Sequence, residues 1–367
     1  MPAPSSLTFR VDFKVLLVVL LLTVPLLVAD MFLVLDRSAR TLTETIGGYT
    51  EAMAKEKAAE VARWVHWKVN NAALLATSSQ IRDAVAAANR GYLGVKEETI
   101  QARFKEIDSL WESPKAGGLV ARMLSSPASD VLNGFTRMDP SFRRLLVTDA
   151  YGAPVAGSRK SIDYNQSDEP WWTTTYGDGR TGRIYVEDVR FDPITRTNFF
   201  GINTPISDPQ QERVIGVLRA IVDVAGMVPI ISQVQVGQTG MAMLVRPDGT
   251  IICSRDVGPE AGLKAEEISV LEGMTGRPSG YAPLTFRGGR RRFVAFADTG
   301  LAPPFPELNW TVLVSQDLEE ATAPVSAINR RALTSAFLGI GLIAIVAVYF
   351  TIHRPRELTD LEAIKGV

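Results

Sequence analysis

At 367 residues the chain exceeds what one ordinary hydrophobic core organises, and its 39 basic and 40 acidic side chains, net −1, give no electrostatic footprint for nucleic acid. Cys253 is the only cysteine, which excludes an intramolecular disulfide, a CxxC redox pair and a cysteine-rich metal site. Between Ile252 and Ser254 it reads as a small buried hydrophobe.

The first element is apolar. Residues 15–35, VLLVVLLLTVPLLVADMFLVL, carry one charge, Asp30, and residues 332–352, ALTSAFLGIGLIAIVAVYFTI, carry none. At 1.5 Å per residue each run spans about 30 Å, the thickness of a bilayer core, so both read as transmembrane helices. Arg10 and Lys14 before the first run also fit a cleaved signal peptide; the length of the run and the lack of a small-x-small site favour an uncleaved anchor. With His353, Arg354, Arg356 and Lys365 after the second run, both termini are expected on the cytoplasmic side of the membrane. The expected layout is a cytoplasmic 1–14, a span at 15–35, an external domain at 36–320, a connector at 321–331, a second span at 332–352 and a short tail at 353–367.

Beyond the first span, Leu42, Ile46, Tyr49, Met53, Val61, Val65, Val69 and Ala72 step by threes and fours, predicting a helix over 38–77 with Gly47-Gly48 as its weak point. The stripe docks on its own domain or, over its first half, on a second copy as a parallel homodimer seam. Helices are predicted at 79–89 and 96–112, and another after Ser126, a cap, and Pro127. From Phe142 the texture changes to strands. RRLLVTDAYGAPVAGS (143–158) and GMAMLVRPDGTIICSR (240–255) are both hairpins, and each is closed by a later strand ending in aspartate, 214–224 and 309–318. The fold class is therefore α+β, with two antiparallel sheets of about five strands each. Arg290-Arg291-Arg292 reads as a solvated turn.

Between the first hairpin and the next strands lies DYNQSDEPWWTTTY (163–176), a polar loop with two adjacent tryptophans. In a loop both rings can turn toward one concave surface, and an aromatic concavity with polar neighbours is what small-ligand sites are built from; the plainer reading is that the rings plug the core. The order of elements, from the long helix through the two hairpins, PWW before GRTGRIYVEDV, INTPISDPQQERVIGVLRAIVDV and NWTVLVSQD, resembles the double Cache domain of bacterial receptors over about residues 38–320. The resemblance implies two stacked PAS-like modules on the long helix, a distal one at about 78–225 holding a small molecule and a proximal one at about 226–320, flanked by the two transmembrane helices and signalling to cytoplasmic outputs.

In the amino-acid-binding subfamily a tyrosine, an arginine and a Trp-Tyr pair lie together in this segment, with an aspartate on a later strand. Tyr164 and Trp171 fit those places, Trp172 replaces the tyrosine, Glu169 stands where the arginine would grip a ligand carboxylate, and Asp223 falls near the later aspartate. A carboxylate does not hold a carboxylate, so a cationic or neutral ligand is expected over an amino acid. Tyr185, Asp188 and Asn203 join the expected ligand-binding set if Ile184 and Val186 pack on the helix side. No catalytic residue, metal site or cofactor is expected: His66 lies on the long helix, and no HExxH, GxSxG or phosphate-binding glycine loop occurs. The alternative class is a tethered interaction module that binds a periplasmic protein partner. The tail, HRPRELTDLEAIKGV, resembles only the opening of a HAMP linker, so signalling is expected through a partner in trans or a missing output domain.

Overall fold

The computed structural model describes residues 13–192, 196–210, 212–234, 236–255, 276–285 and 289–352; the expected cytoplasmic tail and most of the expected cytoplasmic N-terminus lie outside them. Helix α1 (Phe13–Ala76) is continuous, and Gly47-Gly48 does not break it. Gly47 is needed because α1 passes so near the second sheet that a Cβ there would overlap the Tyr281 ring. Helix α2 (Ser79–Arg90), α3 (Glu97–Leu110), α4 (Gly117–Leu124) and α5 (Pro127–Met138) follow, and Ser126 caps α5 by accepting from Ser129 N at 3.2 Å.

Two antiparallel sheets complete residues 47–318, which form one compact unit. The first contains β1 (Phe142–Thr148), β2 (Pro154–Gly157), β3 (Tyr185–Val186), β4 (Arg190–Asp192), β5 (Thr197–Asp208) and β6 (Arg213–Asp223), in the order β2-β1-β6-β5-β3 with β4 also on β5. Between them lie α6 (Pro170–Tyr176), after β2, and α7 (Val228–Ser232), after β6. The second sheet contains β7 (Met241–Val245), β8 (Ile251–Ser254), β9 (Ser279–Thr285), β10 (Arg291–Asp298) and β11 (Thr311–Asp317), in the order β8-β7-β11-β10-β9. Each sheet thus sets the closing strand of its module beside the opening hairpin, the duplicated pattern read from the sequence.

One face of both sheets meets one face of α1. Ala54, Ala58, Val61, Val65, Val69 and Ala72 are buried with Phe200, Ile202, Leu218, Val222, Leu244, Val312 and Val314. Of the expected dimer stripe, Met53 packs on this core while Tyr49, one helical turn before it, is exposed. Lys68 sits on the buried stripe, its Nζ 2.5 Å from Asp139 Oδ2 and 4.5 Å from the Trp67 ring centroid. Arg292 is not in a solvated turn: it lies in β10, with Nε 3.1 Å from Asp317 and Nη2 donating to Thr239 O at 3.0 Å.

The apolar run 15–35 falls within α1, and the run 332–352 within α8 (Leu318–Ile352). Leu21, Leu26, Phe32, Phe337, Leu338 and Ile345 are all exposed. Among the described residues no helix is long and apolar enough to cross a membrane; each run also contains side chains outside that description. Among the described residues, 13–46 and 319–352 belong to a second unit beside that of residues 47–318 in the division of the chain.

The turn between β1 and β2 holds a buried acid. Asp149 is 1% exposed; its Oδ1 accepts from Tyr151 N and Ala153 N, both at 2.9 Å, and its Oδ2 from the Tyr92 hydroxyl at 3.0 Å. Burial outweighs these bonds and pushes the carboxyl from 3.8 up to about 6. Between those values the folded chain keeps a proton that the unfolded chain has lost, so stability falls as pH rises through the window, by about 3 kcal/mol from this group. Urea unfolding of the full chain in detergent should therefore show the wild type losing ground to Asp149→Asn by that amount between pH 4 and 7. A pH-independent difference would contradict the assignment.

Candidate functional site

The segment read as a loop is a short helix. Pro170 opens α6 at a position that needs no N–H, the Glu169 carbonyl accepts from Trp172 N at 3.0 Å and Thr173 N at 3.1 Å, and Gly177 closes it at φ 61°. Successive helical residues are about 100° apart, within the width of one buried face. Both rings turn inward for that reason: Trp171 is 2% and Trp172 6% exposed, and Thr175 is buried behind them. Trp172 Nε1 donates to Thr148 Oγ1 at 2.9 Å, and its ring stacks on Tyr176 with centroids 4.6 Å apart.

Beneath α6 lies the face of the first sheet that the core does not use. Tyr185, Asn203, Arg219 and Leu146 stand opposite one another on β3, β5, β6 and β1, so their side chains share a face. Glu187, two residues beyond Tyr185, joins them, its N–H donating to Gly201 O at 2.8 Å. The opposite face carries Val186, Ile202, Leu218 and Ala220 into the core with Leu145 and Val147. Gly201 leaves room for the acid, because a Cβ there would overlap the Glu187 carboxylate.

The polar centre of this face is an ion pair. Arg219 Nη2 lies 3.0 Å from Glu187 Oε2, and its guanidinium sits 4.3 Å from the Trp171 ring centroid. Glu187 also accepts from Asn203 Nδ2 at 3.3 Å and lies 3.4 Å from the exposed Arg190. Burial lowers the Arg219 pKa, and Glu187 and Glu169 oppose that shift. Glu169, half-buried at the entry of α6, has its carboxyl raised by burial and by Asp163, with Arg219 acting the other way and Asp168 and Glu187 adding to the rise. Two buried groups on this face lack a hydrogen-bond partner among the described residues: the Trp171 indole N–H and the Asn203 amide oxygen.

The expected residues therefore separate. Trp171, Trp172 and Tyr185 form one cluster with Val217 and Tyr176, and Asn203 and Glu169 lie beside it. Tyr164 is placed elsewhere, in a cluster with Phe104 and Trp111 whose ring centroids are 5.3 and 5.2 Å away, and burial pushes its hydroxyl up to about 12. Asp188 faces the second sheet, where it accepts from Trp310 Nε1 at 2.9 Å and meets Arg246 Nε at 2.9 Å. Asp223 ends β6 about 13 Å along the strand from Arg219; it caps Ala225 N at 2.8 Å and takes two bonds from Arg143 at 2.6 and 2.9 Å. Cys253 is buried, and that burial pushes its thiol up to about 12.

Sequence reasoning missed Glu187 and Arg219. Alternation offered the first, since 187 and not 188 shares parity with Tyr185. The second was visible as the one cation inside VIGVLRAIVDV, where a buried charge requires a partner.

A family model described as a Cache domain matches residues 38–325. No curated protein matches the chain in sequence. Among solved structures, the chain is similar to the ligand-binding domain of the Pseudomonas aeruginosa PAO1 amino acid chemoreceptor PctC in complex with GABA, at 16% identity and a TM-score of 0.47, covering 74% of this chain and 99% of that one. The ligand-binding domain of the Pseudomonas fluorescens chemoreceptor CtaA, in complex with L-leucine, aligns at 15% identity and a TM-score of 0.46, covering 77% and 99%. That of the Campylobacter jejuni chemoreceptor Tlp3, in complex with 4-methylisoleucine, aligns at 11% identity and 0.46, covering 76% and 94%.

Proposed function

The chain belongs to the Cache domain family, a family of extracytoplasmic ligand-binding sensor domains, and on that premise we propose that it is a membrane-anchored receptor whose first module takes a small molecule between α6 and the open face of its sheet. One observation carries the reading: among the described residues a buried donor, Trp171 Nε1, and a buried acceptor, Asn203 Oδ1, are left without partners on the sheet face that packs under α6. Buried polar groups are normally paired, and a ligand bearing an acceptor and a donor would pair these two. The runs 15–35 and 332–352 serve as the anchors, their exposed leucine and phenylalanine side chains covered by lipid. On the same reading residues 36–331 lie outside the cytoplasmic membrane, and this module, at about 78–225, is the membrane-distal one.

The ligand carries a cationic group. Of the charged groups that act most on Glu169, Arg219 is the basic one, against Asp163, Asp168 and Glu187, and Arg219 is already engaged by Glu187 and by the Trp171 ring. An added carboxylate would deepen the excess of negative charge, whereas an amine or quaternary ammonium would offset it and could use the aromatic faces, worth about 0.5–2 kcal/mol each.

A thermal screen of the full chain in detergent tests this. Amines and quaternary ammonium ions are expected to raise the melting temperature, a ligand at a hundred times its Kd adding about 2.7 kcal/mol. Stabilisation by dicarboxylates, and not by amines, would contradict the charge assignment.

A further inference from the structure

Glu187 and Asp188 are adjacent in the chain and serve different sheets. Glu187 is held on the open face by Arg219 at 3.0 Å and by Asn203 Nδ2 at 3.3 Å, with its backbone tied to Gly201. Asp188 is held by the second sheet. Its Oδ1 accepts from Trp310 Nε1 at 2.9 Å and from Val189 N at 2.7 Å, its Oδ2 lies 2.9 Å from Arg246 Nε, and Arg246 also donates to the Val189 carbonyl. Arg246 directly follows β7 and Trp310 directly precedes β11, so one carboxylate is gripped at the ends of two neighbouring strands, one of them the central strand of that sheet. The surroundings leave Asp188 little freedom. Trp310 is fully buried with its ring centroid 6.0 Å from that of Phe200, and Asn198 Nδ2 donates to Ile252 O at 2.9 Å.

We propose that Asp188 is a positioning residue for the ligand face: the second sheet, through Arg246 and Trp310, fixes the backbone from which Glu187 reaches Arg219, and so sets where the acidic partner of the ligand stands. This rests on the reading that the open face of the first sheet takes the ligand, and it adds how that face is regulated. Coupling of this kind is reciprocal. A ligand that draws Glu187 from Arg219 turns the 187–188 peptide and strains the Asp188 contacts, whereas a shift of the second sheet moves Glu187. Glu187 and Asp188 follow β3 in the chain that leads to β4, and there two neighbouring side chains turn to opposite sides and serve two sites with no intervening residue.

The test needs no ligand. The full chain, in detergent, is labelled with 5-fluorotryptophan at its six tryptophans and the fluorine resonances are assigned by single Trp→Phe replacements. Glu187→Gln is expected to shift both the Trp171 resonance, over Arg219, and the Trp310 resonance, at Asp188, and to leave Trp111 in place. In an Asp188→Asn background Glu187→Gln should still shift Trp171 but no longer Trp310. Arg246→Gln should shift Trp171 in return. Gly201→Ala, whose Cβ would push the Glu187 carboxylate aside, gives a second perturbation should Glu187→Gln fold poorly. A Trp310 resonance that stays put, or that shifts equally with and without Asp188, overturns the proposal, and so does movement of Trp111, the mark of general loosening. Because nothing is bound in this experiment, its failure leaves the ligand reading to its own titration, and a failed titration leaves coupled resonances standing.

Discussion

Arg219→Gln is expected to cost the fold about 3–5 kcal/mol, and adding Glu187→Gln to it should return a large part of that loss. The single change strands Glu187, 5% exposed, with Asn203 at 3.3 Å and the outlying Arg190 at 3.4 Å as its remaining polar partners. A buried charge without its partner costs far more than the pair contributes, because the carboxylate has been taken out of water and nothing replaces the lost attraction. The contact with Arg190 moderates the effect and places it at the lower end of the range. Glu187→Gln alone is milder, since the freed guanidinium keeps the Trp171 ring and the field of Glu169. Urea unfolding of the four chains in detergent, read by tryptophan fluorescence, gives the cycle: a coupling of about 2 kcal/mol or more supports the pair as the polar centre of the face, and simple additivity would contradict it.

The sequence displays the fold more fully than the site, for physical reasons that particular residues make plain. A long helix with a buried stripe repeats its signal over many turns, and the two hairpins announce themselves through Asp149–Gly152 and Asp248-Gly249, where turn chemistry is local. Gly152 even requires its residue type, with φ at 88° and Ser167 packed against the position of a Cβ. Helix α6 has no such redundancy. It is seven residues long, too short to show a period, and its three threonines favour extended chain over helix; its packing on the sheet overrides that preference. Lys68 shows the same limit from the other side: its place on the buried stripe is legible, but its partner Asp139 is 71 residues away.

The site depended on parity and register. Tyr185 and Asn203 share the open face, as the alternation about Val186 required, but Asp188 has the parity of Val186 and turns to the second sheet. Asp223 could not be placed without knowing how far β6 runs before it ends. Arg219 matters most for chemistry, because the ligand argument from sequence weighed Glu169 without the cation that stands near it. Its presence does not reverse that argument, since Glu187 already engages it.

The central claim is that a cation binds at the entry of α6, and calorimetric titration of the amine most effective in the thermal screen tests it most directly. The titration is made on the full chain and on Glu169→Gln, which removes the charge but keeps the shape. A hydrogen bond to a charged group contributes about 1.5–3 kcal/mol, so the dissociation constant should rise tenfold or more. Asp223→Asn serves as the control, because Asp223 is occupied by Arg143 and by the cap at Ala225, and its loss should leave binding unchanged. Weakened binding in Glu169→Gln with unchanged binding in Asp223→Asn is the result this account predicts; equal affinity in the wild type and Glu169→Gln would contradict it.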